Sequence, residues 1–140
     1  MAKSKIKEIK KHTDIKSYED ACIVNGDDPK ILPDYSMLPK AEAEYQLNHF
    51  KLVRIVKAIN KIADPNWKPL FHNRNTKYYP WPEVKSDEKR PSGFGFSRSC
   101  YGCGDSVTSV GSRLCFASSE LALYALKQFE AMYIINQLSI

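Results

Sequence analysis

Lys77-Tyr78-Tyr79-Pro80-Trp81, Gly93-Phe94-Gly95-Phe96-Ser97 and Gly111-Ser112-Arg113-Leu114-Cys115-Phe116 are followed, from Ser118-Ser119-Glu120, by an amphipathic run to the end of the chain. Phe94 and Phe96 alternate with glycines, the period-two pattern of a strand with one buried face. Pro80 and Pro82 suit an extended Tyr78–Val84 segment at a sheet edge and exclude a central one. Ser112–Phe116 reads as a third strand, and Cys100–Val110 before it as a loop or irregular hairpin. Ser118 is placed to cap the closing helix and Glu120 to complement its dipole. Leu121, Tyr124, Ala125, Phe129, Met132 and Ile135 give that helix a wide apolar stripe. Strands backed by a helix define a fold class and carry no catalytic signature.

Upstream, the spacing predicts two further helices. Ser17 and Asp20 mark a start, Tyr18, Ala21 and Cys22 fall at helical spacing, and Asn25-Gly26 supplies a left-handed stop. Pro29, Pro33 and Pro39 exclude a regular element from the connector that follows. From Lys40 to Ala63, Leu52, Ile55, Val56, Ile59 and Ala63 repeat at three- and four-residue steps, with Tyr45 and His49 extending the face backward. Asp64-Pro65 ends this helix, and the loop after it pins Trp67 and Phe71 against the core. The expected architecture is α+β: a small, mostly antiparallel sheet of about three strands packed against two long helices.

At 140 residues the chain is long enough for one domain with a real core. Its formal net charge of +5 is uneven: residues 1–16 hold six Lys against Glu8 and Asp14, and the remainder is almost neutral. This divides the chain into a flexible basic tail (1–16) and a single α+β domain (17–140). No run approaches the length of a membrane span, and the N-terminal lysines are not followed by an apolar signal region. Four Cys without an export signal imply thiols and a cytoplasmic location in the host cell.

Chemistry-bearing residues are sparse. Cys100 and Cys103 have the i, i+3 spacing of a zinc knuckle, with Gly102 and Gly104 for the tight turn. No second Cys-x-x-Cys or His pair accompanies them, so no metal and no cofactor is expected. His12, His49 and His72 have no partner signal, and Gly93-x-Gly95 lacks the third glycine of a phosphate cradle. The chain is therefore read as a non-enzyme. Two sets of residues suit binding. Lys51, Arg54, Lys57 and Lys61 form a basic helix stripe that can lie along phosphates, although any amphipathic helix needs a polar side. Tyr78, Tyr79 and Trp81 can stack on a partner if they are exposed, and Arg113 stands alone in an apolar segment, facing Glu120 or a ligand.

The run Ile15–Ala21, Phe50-Lys51-Leu52-Val53, Trp67-Lys68-Pro69, Lys77–Trp81, Gly93–Ser97, Val110–Phe116, Glu120-Leu121-Ala122 and Lys127-Gln128-Phe129 resembles a family of small uncharacterised proteins encoded by phages and prophages of gut Bacteroidetes. The resemblance spans about residues 15–133. It implies a phage or mobile-element origin, carries over no functional residue and leaves Cys100/Cys103 outside the family pattern. The expected function is a non-catalytic intracellular interaction module with a host or phage protein as partner. The alternatives are a nucleic-acid-associated protein using the tail and the Lys51–Lys61 face, and a virion or assembly component.

Overall fold

The computed structural model describes residues 7–68, 76–80, 83–89, 94–96, 103–106 and 112–138. Helix α1 (Tyr18–Asn25) starts where Ser17 Oγ accepts from the Asp20 amide at 3.2 Å. It stops at Gly26, whose φ of 74° is the left-handed conformation that glycine adopts without a Cβ penalty. The connector then runs without regular structure to α2 (Lys40–Ala63), which ends at Asp64-Pro65 as its sequence requires.

Helix α2 is the spine, touched by every other helix. Leu52, Ile55, Val56 and Ile59 are fully buried along it. Each such side chain stabilises by roughly 1.5–3 kcal/mol relative to exposure. Ala63, expected on the same face, is exposed, because Asp64-Pro65 turns the chain away at that point.

The C-terminal run forms two helices, α3 (Ser119–Gln128) and α4 (Glu130–Leu138), instead of one. Ser118 Oγ accepts from the Leu121 amide, as its N-cap position predicts. The ladder breaks at Phe129, whose φ and ψ of −115° and 33° leave helical geometry while its side chain stays buried. The break shifts the phase of the apolar stripe. Tyr133 and Ile134 turn inward, and Ile135, expected inside, is 38% exposed.

Among the described residues, two two-stranded antiparallel ladders stand where a single sheet of about three strands was expected: β1 (Lys77–Pro80) with β4 (Cys103–Ser106), and β2 (Val84–Ser86) with β3 (Phe94–Phe96). The expected Tyr78–Val84 strand is thus divided between the two. Helix α3 packs on β1 and β4, and α4 on β3. Ser112–Leu114 is a 3₁₀ turn, not a strand, and only Phe116 bridges to β1. The Tyr78 amide donates to Phe116 O at 3.1 Å and the Phe116 amide to Tyr78 O at 2.7 Å. Backbone polar groups alternate sides along a strand. Pro80 therefore faces the Phe116 side with Tyr78, and its missing N–H costs the β4 ladder nothing. Pro80 ends pairing on that edge, which is why β1 tolerates it.

Residues 7–16, expected to be tail, are packed onto the body, because Ile15 has an apolar side chain with a place in the core. It is fully buried there, and the Tyr124 hydroxyl donates to its carbonyl at 2.8 Å. The Lys7 ammonium reaches the buried Asp20 carboxylate at 2.7 Å, and the Lys16 amide donates to the same oxygen. Burial pushes the Asp20 pKa up, but the Lys7 and Lys16 hydrogen bonds outweigh it, and the net shift is downward. No described helix is long and apolar enough to cross a membrane.

Candidate functional site

The basic stripe of α2 is not a solvated row, because α1 packs along it. Lys51 Nζ lies 5.4 Å from the centre of the Tyr18 ring. Arg54 folds back over Phe50, its Cζ 3.4 Å from the ring centre, and Nη1 donates to Phe50 O. The Asn25 side chain donates to Arg54 O at 2.9 Å, fixing α1 against this face. Lys61 Nζ donates to Val24 O at the C-terminus of α1, where unpaired carbonyls attract a cation. Lys57 is exposed and makes no such contact among the described residues.

Beside it lies a cleft of about 410 Å³, within the range of ligand-binding clefts. Its first wall is the C-terminal half of α2. There Val53 and Val56 give an apolar floor, and Lys57 and Lys61 form one rim. Its second wall is the turn after α2. The Asp64 carboxylate accepts from the Asn66 amide at 3.2 Å and the Asp64 carbonyl from the Trp67 amide at 3.1 Å, an Asx-type turn that carries Pro65 and Trp67 to the opening. The third wall is the 3₁₀ turn and the residue after it, with Arg113 exposed on the rim and Cys115 buried at the base.

Asn60 joins the first wall to the third. It is 8% exposed, its Nδ2 donates to Cys115 O at 2.9 Å, and its Oδ1 accepts from the Ala117 amide at 3.0 Å. One side chain thus satisfies two backbone groups of a segment that has no ladder at that point. Burial pushes the Cys115 thiol pKa up, and the charge of the fully buried Lys77 pulls it partly back, leaving it raised. The group is therefore a thiol, not a thiolate, at neutral pH, and a weak nucleophile.

Lys57 and Lys61, read in the sequence as part of the helix stripe, thus meet Arg113, read apart from them, at one opening beside Trp67, with Asp64 as the opposing charge. Among the described residues Arg113 has no ion-pair partner. Glu120, the partner expected from sequence, instead lies 3.9 Å from His12. Lys51, Arg54, Tyr78 and Tyr79 do not line the cleft. Tyr78 packs on the core, and Tyr79 is half-buried beside it. Trp81, Cys100, Phe71, His72 and Tyr101 lie outside the described residues, as do the side chains of Phe94, Phe96 and Cys103. The described residues hold no cluster of three or more His, Cys, Asp or Glu placed to bind a metal.

Asn60 and Lys77 were missed from sequence. Asn60 carried a signal, being a polar residue one turn from Val56 beside an otherwise apolar face. Lys77 carried none, since a lysine opening a strand ordinarily reaches solvent. Comparison with protein-family models, curated proteins and solved structures finds no match to this chain.

Proposed function

We propose that this protein is a non-catalytic intracellular interaction module, of the phage or mobile-element origin that the resemblance implies. Its cleft holds an acidic segment of a partner protein that also carries apolar side chains. The carrying observation is the convergence of Lys57, Lys61 and Arg113 on one opening with an apolar floor and Trp67. Clustered cations select carboxylates, and the Arg fork adds geometry to the charge. The apolar floor and the ring supply the desolvated contact area that anchors an interface. The raised pKa of Cys115 argues against covalent chemistry at the base. A stripe largely engaged by α1 and Phe50 argues for a local pocket over a phosphate-tracking row.

The chain has two Trp, so a Trp81→Phe background leaves Trp67 as the reporter. A peptide mixing Asp/Glu with Leu/Ile is expected to change Trp67 fluorescence saturably, and Arg113→Glu with Lys57→Glu to weaken it at least about tenfold. No response, or equal affinity in the variant, overturns the reading. Tighter binding of duplex DNA or RNA, falling steeply with salt, replaces it with the nucleic-acid reading.

A further inference from the structure

We infer that the segment filling the cleft is the connector between α1 and α2 of a second copy of this chain, so that the protein associates with itself head to tail. This rests on the cleft being the working surface and adds the identity of its occupant. The connector has the complementary chemistry. It carries Asp27, Asp28 and Asp34 against the single Lys30, facing a rim with three cations and one carboxylate.

It also carries three of the six large apolar side chains exposed among the described residues, the two most exposed included. Ile31 is 72% exposed, Leu32 40% and Met37 88%, although surface connectors are ordinarily polar. The segment is held in shape before any partner arrives. The Lys30 amide donates to Asp28 Oδ1 and the Ser36 amide to Asp34 Oδ1, both at 2.9 Å, while Pro29, Pro33 and Pro39 restrict the backbone. A pre-ordered segment loses less entropy on binding than a disordered one.

No connector residue lines the cleft of its own chain. Cleft and connector are therefore different patches of one surface, and a contact between them is heterologous. Such a contact closes into a ring or continues as a filament, depending on the rotation between copies.

Sedimentation velocity of the full chain, from micromolar to several hundred micromolar, tests this with two charge-reversed proteins. One carries Lys57→Glu and Arg113→Glu in the cleft, and the other Asp27→Lys and Asp34→Lys in the connector. The native chain is expected to associate with rising concentration, and each reversed protein alone to do so at least about tenfold more weakly. An equimolar mixture of the two is expected to regain association, because each cleft then meets a connector of opposite sign. Ile31→Ser with Leu32→Ser is expected to weaken association by a similar factor at unchanged Tm, since both side chains are exposed.

A chain that stays monomeric while an unrelated acidic, apolar peptide still perturbs Trp67 overturns this inference and leaves the cleft reading standing. Monomer with no peptide response overturns both. Association that persists in the cleft-reversed protein, or is not regained on mixing, places the interface elsewhere and also overturns it.

Discussion

Replacing Asn60 by alanine removes both hydrogen bonds that tie the Cys115–Ala117 backbone to α2. Cys115 is 3% exposed, so its carbonyl loses this hydrogen bond with little water to replace it. Taking a hydrogen bond from a buried acceptor costs roughly 1–3 kcal/mol, and the half-buried Ala117 amide adds about 0.5–1.5 kcal/mol. The higher helix propensity of alanine offsets about 0.5 kcal/mol. The net loss is roughly 1–4 kcal/mol, or about 3–16 °C in Tm at about 3–4 °C per kcal/mol for a chain of this size.

Urea unfolding followed by circular dichroism is the assay, with the midpoint expected to fall at unchanged m-value. Lys57→Ala, exposed on the same helix, is the control and is expected to stay within about 0.5 kcal/mol of the native chain. Native-state hydrogen exchange adds a local readout, because the Ala117 amide is expected to exchange faster once Oδ1 is gone. A loss below about 1 kcal/mol, equal to the control, with unaltered Ala117 exchange, refutes the idea that Asn60 holds the cleft together.

Asp20→Asn probes the N-terminal strap. The folded pKa of Asp20 is lowered, so its contribution is present above the ordinary carboxylate value of ~3.9 and lost as pH falls through the folded value. The variant is expected to be less stable by roughly 1.5–3 kcal/mol near neutral pH, with a shallower acid limb. An acid limb parallel to that of the native chain counts against the Lys7–Asp20 link. At Gly26 an added Cβ meets nothing within 4 Å, so the cost of Gly26→Ala is that of the left-handed backbone alone, about 1 kcal/mol, with Asn less costly. Equal midpoints for Gly, Ala and Asn contradict that account. Among the described residues the Tyr133 hydroxyl is buried without a hydrogen-bond partner, so Tyr133→Phe is expected to be neutral or to stabilise by up to about 1 kcal/mol. A clear loss of stability in thermal melts reveals a partner for that hydroxyl.

The helical half was legible because its signals are local. The capping Ser17, the left-handed Gly26 and the Asp64-Pro65 stop each act within one turn of chain, and α1 and α2 carry the bounds these residues predict. The break at Phe129 was not legible, since neither Gly nor Pro marks it and the side chain stays in the core. Ser112-Arg113-Leu114, read from its composition as part of a strand, is a 3₁₀ turn. What selects the turn is the neighbouring geometry, in which Asn60 and Tyr78 take the backbone groups at 115–117 that a ladder would have used.

By itself, the sequence determined the class: an α+β chain with its helix starts and stops, its charge asymmetry and a set of candidate cations, because propensity, capping and periodicity are short-range effects. Tertiary structure alone decided which cations share a site. Lys57 and Arg113 lie far apart along the chain and meet across the cleft, while Lys51 and Arg54, a turn or two from Lys57 on the same helix, are engaged by Tyr18 and Phe50. That choice depends on how α1 and the 112–117 segment pack on α2, and no local pattern specifies the packing of elements distant in sequence.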